Sequence, residues 1–298
     1  MAENGLQHVR APDGRAIEIL PMPPEEGWTL LYQGGTPAAP VSFRLLEAAA
    51  AARRMRLVQY ARPGYGTSER RVGRRVADAA GDVGAILDAL GVDRCLTLGW
   101  SGGGPHALAC AALLPERVAA AGTIASPAPY GAEDLDFFAG MSTDNVEELG
   151  AAIASPEQLR SFIEALAPSF GSVTAEQVAA GLGDLASEED RTALTGVFAE
   201  HVAQAFRRAL SGGIWGWYDD DLELVQDWGF DLASIQVPVT VWQGEHDRMV
   251  PIAHGRWLAA HIPSARSRLV PDHGHLSLVV ASLDRILDDL IERAGGVG

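Results

Sequence analysis

Ser101 stands in "LTLGWSGGGPHALACAALL" (96–114), with an apolar run before it, glycines on both sides and an alanine-rich, helix-like run after it. A serine hydroxyl attacks a carbonyl carbon only when a base takes its proton, and the base needs a carboxylate to fix its tautomer. Asp247 in "QGEHDRMVP" (243–251) and His275 in "PDHGHLSLV" (271–279) are the candidates for those two tasks. Each is ordinary alone: a loop aspartate usually serves a turn or cap, and a lone histidine usually sits on the surface or in a satisfied core. With 33 glycines in the chain, Gly-x-Ser-x-Gly is also weak by itself. The weight comes from the order Ser, Asp, His, each member following an apolar run that reads as a strand. His273 competes with His275 for the base, and His275 is preferred because it follows Gly274 and leads straight into the apolar helix start "LSLV". His273 and His275 as a metal pair would need further ligands, and no cluster stands beside them.

Acyl transfer also needs two N–H donors for the oxyanion. Gly102, next after the serine, is one. Thr36 in "QGGTPAAP" (33–40) is the other, with Gly35 as the neighbour that lets the backbone bend toward the site. Trp100, beside the serine, borders either the substrate pocket or the seam between sheet and helix.

The elements that would position these groups are legible as runs. Short apolar stretches at 16–20, 28–32, 56–60, 94–99, 118–125, 238–243 and 267–270 read as strands covered on both faces. Segments 41–54, 74–90, 103–114, 253–262 and 279–293 carry helical spacing, so strand and helix alternate as in a mostly parallel, doubly wound α/β sheet. Ligands in such sheets bind beyond the carboxyl ends of the strands. The alternation fails over 131–230, which reads as a helical insertion, leaving 1–130 and 231–298 as the core. Phe137, Phe138, Phe162, Phe170, Trp215, Trp217 and Trp228 of the insertion are assigned mainly to its own packing. Asp219, Asp220 and Asp221 are expected in a solvated loop, with a substrate amine as the lesser alternative.

The totals narrow the function. A chain of 298 residues, 47% apolar and 21% charged, buries a large core. A formal charge of −16 argues against a nucleic-acid partner. All 23 basic residues are Arg, so lysine Schiff bases, Ser-Lys pairs and phosphate-loop lysines are excluded. Cys95 and Cys110 are expected to be buried thiols rather than a disulfide or metal pair. The absence of a signal pattern and of a long apolar run gives the expectation of a cytoplasmic protein without a membrane span.

Taken together, "YQGGTP" (32–37), "RPGYGTS" (62–68), "LGWSGGGPHALA" (98–109), "GEHDRMVP" (244–251) and "DHGHLSL" (272–278) resemble the α/β-hydrolase family over nearly the whole chain. Two positions depart from the usual pattern: Gln33-Gly34 stands where relatives commonly have His-Gly, and Ala61 where many have Asp. The resemblance implies an eight-stranded sheet, Ser101 as nucleophile, Asp247 as acid, His275 as base, and a lid over the insertion. A serine at 101 disfavours relatives with an aspartate nucleophile. The expectation is a cofactor-independent, metal-free serine hydrolase acting on a carboxylic ester or lactone of a small apolar molecule. The alternatives are C–C bond or proline-iminopeptidase-like amide hydrolysis on the same triad, and a ligand-binding protein on a hydrolase scaffold.

Overall fold

A computed structural model describes residues 5–296. Its eight strands are β1 (Gln7–Arg10), β2 (Ala16–Pro21), β3 (Thr29–Gln33), β4 (Arg56–Tyr60), β5 (Cys95–Trp100), β6 (Val118–Ile124), β7 (Val239–Gly244) and β8 (Ala265–Val270). They form one sheet in the order β1-β2-β4-β3-β5-β6-β7-β8, parallel from β4 through β8, with β1 and β2 antiparallel at one edge. β3, β5, β6 and β7 are buried along their whole length, which is why their sequences run apolar without alternation.

β1 is the strand that the apolar runs do not announce. "QHVR" is mostly exposed and polar, and it forms because the turn at Ala11–Gly14 folds it back on β2, with Gly14 at φ +88°. His8 and Arg10 on this edge also discourage pairing with another chain.

Helices α1 (Arg44–Ala51), α2 (Ala79–Ala89), α3 (Gly104–Leu113), α10 (Ile252–His261) and α11 (Ser277–Arg293) cover the sheet, close to the spans that periodicity predicts. Between β6 and β7 the described residues hold α4 (Thr143–Ala154), α5 (Pro156–Phe170), α6 (Ala175–Gly181), α7 (Glu188–Ala193), α8 (Gly196–Ala209) and α9 (Trp215–Leu224), and no strand. Two apolar clusters lie on the sheet, one including Leu96, Leu98 and Leu287 and the other Leu31, Val58 and Val241. A third, with Tyr65, Ile163 and Trp217, ties α5 and α9 to the loop after β4. Trp217 and Trp228 are core residues, in keeping with a packing role.

The strand order reverses between β3 and β5: β4 lies on one side of β3, and β5 returns to its other side. Their carboxyl ends therefore diverge into different connections, leaving a crevice between them. Gln33 pairs with Gly99 there, so the turn after β3 and the turn after β5 open side by side.

Candidate active site

Ser101 occupies the corner between β5 and α3 at φ +54°, a left-handed conformation that side chains other than glycine rarely adopt. The chain leaves β5, makes one 3-10 turn over Ser101–Gly103 and enters α3. Two glycines make so sharp a corner possible. A Cβ on Gly99 would lie 2.3 Å from the Gly103 carbonyl oxygen, and one on Gly103 would lie 2.1 Å from that of Gln33. The α3 N-terminus then points its unpaired N–H groups and positive dipole end at the corner.

Asp247, in the loop after β7, and His275, in the loop after β8, meet there. His275 Nδ1 lies 2.9 Å from Asp247 Oδ2 and 3.2 Å from Oδ1, with both side chains buried. The carboxylate is fixed in turn by the N–H groups of Met249 and Val250, at 2.9 and 2.8 Å on Oδ1, and by Gln243 Nε2 at 2.9 Å on Oδ2. A carboxylate held this way sets the imidazole so that its Nε2 is the free basic atom. His273 makes no bond to Asp247 among the described residues, and its Nδ1 is buried without a partner.

Ser101 and His275 line the same cavity of about 110 Å³, together with Gly35, Thr36 and Trp100. Among the described residues no hydrogen bond joins Ser101 Oγ to the imidazole; such contacts often close only with substrate in place. The Trp100 ring borders this cavity, 5.8 Å between centroids from His275 and 6.2 Å from Phe198. The remaining wall is mostly apolar, formed by Tyr32, Pro37–Pro40, Met249 and, from α8, Val202, Ala205 and Phe206, with Gln59 and Arg62 as polar members. His201 on α8 also faces it as a neutral ring, because burial lowers its pKa to about 4.

The turn after β3 reaches the serine as its sequence suggests, for a different reason. Gly35 is not at positive φ; it is a glycine by proximity, since an added Cβ would lie 3.3 Å from Ser101 Cβ. Gly102 and Thr36 face each other, an added Cβ on Gly102 falling 2.4 Å from Thr36 Oγ1 and 3.4 Å from Thr36 N. The Gln33 side chain points away from the cavity into the sheet, where its Oε1 accepts from Tyr60 Oη at 3.0 Å and its Nε2 donates to Thr97 Oγ1 at 3.3 Å.

The acidic run is where sequence reading fails. Asp219, Asp220 and Asp221 are not in a solvated loop: they lie within α9 and are buried. The arginines that meet Asp219 and Asp220 come from about 150 residues earlier in the chain. Arg70 binds Asp219 through Nε at 2.7 Å and Nη2 at 2.8 Å. Arg62 binds Asp220 at 2.5 and 3.1 Å, Arg74 bridges Asp220 and Glu223, and Tyr65 Oη and Thr36 Oγ1 donate to Asp220 at 2.8 and 2.6 Å. Burial opposes ionisation of Asp220, but the two guanidinium groups prevail and hold its carboxyl far below the usual range. Arg62 also donates to the carbonyls of Gly34 and Gly35 at 2.6 and 2.9 Å. Behind the elbow, His106 Nδ1 lies 2.8 Å from the Gly102 carbonyl and Nε2 2.7 Å from Glu223 Oε1. One buried network thus grips the turn after β3 and the turn after β5 from behind. His106, Asp220 and Glu223 cluster within reach of one another as metal ligands do, but Arg62 and Arg74 already neutralise the two carboxylates. The signal available in sequence was a charged triplet set among Trp215, Trp217, Leu222 and Leu224.

A second, smaller cavity opens on the other side of Ser101, lined by Phe137, Met141, Leu149 and Val250 and by the carboxyl groups of Glu148 and Asp221. Burial and the neighbouring Glu148 push the Asp221 carboxyl well above its ordinary range, while Trp217 Nε1 donates to Glu148 Oε1 at 2.6 Å.

A family profile described as alpha/beta hydrolase fold matches residues 29–282. The chain belongs to the alpha/beta hydrolase fold family. Among curated relatives of this hydrolase, the 2-hydroxy-6-oxo-6-phenylhexa-2,4-dienoate hydrolase of Burkholderia cepacia is 26% identical over 284 residues, covering 92% of this chain and 87% of the relative. A 2-hydroxy-6-oxononadienedioate/2-hydroxy-6-oxononatrienedioate hydrolase of Paraburkholderia phymatum is 25% identical over 257 residues, covering 85% and 77%. Among solved structures, the enol-lactonase of Burkholderia xenovorans LB400 superposes with a TM-score of 0.68 at 18% identity, covering 96% of this chain and all of the other. An esterase of Exiguobacterium antarcticum gives 0.68 at 18%, covering 97% and 99%. At such identities the structural likeness speaks for the fold. No helix among the described residues of the hydrolase is long and apolar enough to cross a membrane.

A pH dependence follows from His275. Burial disfavours its imidazolium, but the facing Asp247 carboxylate and, more weakly, Asp190 outweigh that and raise the pKa above the ordinary 6.5. A base must be neutral to accept a proton, so a raised pKa moves the onset of activity upward. The acid limb of log kcat/KM against pH is expected to have its midpoint above 6.5. A midpoint below 6 would remove His275 as the base.

Proposed function

We propose that this hydrolase is a cofactor-independent serine hydrolase that cleaves a carboxylic ester or lactone of a small, largely apolar molecule. One observation carries the reading: Ser101 on its positive-φ corner and His275, held from behind by Asp247, open onto one mostly apolar cavity. In this reading Ser101 Oγ attacks the acyl carbon while His275 Nε2 takes its proton, and Asp247 stabilises the imidazolium. The N–H groups of Thr36 and Gly102 receive the oxyanion. The imidazolium then protonates the departing alkoxide, and water, deprotonated by His275, attacks the acyl-enzyme to release the acid and Ser101. Helices α4–α9 serve as a cap whose α8 face lines the acyl side of the cavity.

Two features support a neutral, apolar substrate. The cavity wall is mostly carbon, and the arginine that lines it, Arg62, is committed to Asp220. The curated relatives' names favour a second reading, hydrolysis of a C–C bond in a 2-hydroxy-6-oxo-dienoate. The test is a panel of nitrophenyl esters of increasing acyl length beside a lactone, a vinylogous diketone acid and a prolyl amide. The proposal expects ester or lactone turnover to dominate, with a fluorophosphonate probe labelling Ser101. Turnover confined to the diketone acid would select the second reading, and labelling without turnover on any member would point to a binding protein.

A further inference from the structure

Asp190 lies on the short helix α7, between β6 and β7, and is fully buried. Its carboxylate faces the turn that carries His275. Oδ2 accepts from the His275 N–H at 3.0 Å, and Oδ1 accepts from the N–H groups of Leu276 and Ser277, both at 2.8 Å. Leu276 is the N-cap and Ser277 the first residue of α11, so the carboxylate caps the positive end of a 17-residue helix from outside it. The fit is close: a Cβ on Gly274 would fall 2.3 Å from Asp190 Oδ2 and 2.5 Å from Ser187 Oγ. Ser187 Oγ in turn accepts from the Asp190 N–H at 3.2 Å, fixing the start of α7.

Three charge-assisted bonds to consecutive amides hold the backbone from which the imidazole projects. The charged or titratable groups acting on that imidazole are Asp247, from the loop after β7, and Asp190, from α7; the Trp100 ring packs beside it without charge. Asp247 orients Nδ1 directly. Asp190 acts through the peptide backbone and through its field.

We infer that Asp190 is a positioning residue for His275, a carboxylate of the β6–β7 insertion that clamps residues 275–277 and favours the imidazolium formed during proton transfer. The inference rests on the reading of His275 as the base, and its test is separable from that reading.

The imidazole of His275 is titrated by nitrogen NMR in Ser101→Ala protein and in Ser101→Ala with Asp190→Asn, so no turnover is needed. Loss of the negative charge should lower the pKa of His275 by roughly 0.5 to 1 unit. Ser187→Ala, which loosens α7 while leaving the carboxylate in place, should leave the titration unmoved. In the active enzyme, Asp190→Asn should lower kcat by about 10- to 100-fold, with KM changed less than about threefold, because misplacement of the base affects the proton transfer rather than ground-state binding. An unshifted titration overturns the proposal, as does a shift that Ser187→Ala reproduces. Should the Asp190 variants fail to fold, hydrogen exchange in the unmutated protein decides: the clamp requires the amides of 275–277 to be among the slowest of the chain, and exchange as fast as that of Asp272 overturns it. Full turnover by Ser101→Ala would instead refute the triad reading and leave the titration to judge the clamp.

Discussion

Replacing Ser101 with alanine is expected to lower kcat on the best ester of the panel by about four to six decades, or ~5–8 kcal/mol of transition-state stabilisation. No neighbouring hydroxyl or thiol stands ready to replace the proposed nucleophile: Cys95 on β5 and Cys110 on α3 are buried, with burial pushing the Cys95 thiol up to about 12 and the Cys110 thiol higher still, and Thr36 Oγ1 is engaged with Asp220. The proposed oxyanion donors and the cavity are untouched by the substitution, so a residual rate above that in water is expected. The fold should not suffer, because Ser101 Oγ makes no hydrogen bond among the described residues and Cβ is retained. Steady-state kinetics paired with thermal unfolding checks both halves. A variant that turns over within tenfold of the parent would end the assignment.

Asp220→Ala is expected to produce the largest loss of stability for a single side chain near the site, about 3–5 kcal/mol. The pair Arg62 and Arg74 is compensated by Asp220 and Glu223 in a region closed to water. Deleting Asp220 strands one buried guanidinium charge and removes the acceptor of the Tyr65 and Thr36 hydroxyls. For a chain of this size the loss corresponds to a fall in Tm on the order of 10 °C. Urea unfolding monitored by tryptophan fluorescence measures it, and a change under 1 kcal/mol would show that the network is not closed as described. Activity should fall with stability, since Arg62 holds the Gly34 and Gly35 carbonyls and with them the proposed donor at Thr36.

Both predictions concern groups that the chain brings from distant positions, and they differ in how visible those groups are in sequence. The nucleophile corner announces itself locally: glycines at 99 and 103 are needed within a few residues of Ser101, and the flanking strand and helix are written in the same stretch. Asp247 and His275 are marked in the same way, each following a strand whose apolar end residues announce its carboxyl end, β7 buried throughout and β8 only at Val270. The parallel sheet then carries all three ends to one rim. Seven of eight strands, five covering helices and the span without strands were legible, most clearly β3, β5, β6 and β7, whose burial along their whole length leaves a compositional trace, while the edge strand β8 was marked only by Leu269 and Val270. β1 left none, because an exposed edge strand is defined by its partner and its turn rather than by its own residues.

What the linear chain could not reveal was which charges are neutralised by which. Asp219 and Asp220 look solvated until Arg62, Arg70 and Arg74 are placed against them, Asp221 until it is buried beside Glu148, and Asp190 is one of three acids in α7 until the start of α11 is placed against it. Pairing energies depend on separations of a few ångströms that sequence distance does not encode, and burial turns such pairs from incidental to decisive. The sequence by itself therefore determined the alternation of strand and helix and the three candidate reacting groups. Only the tertiary structure decided what holds those groups still, because that support is made of contacts between segments that share no local pattern.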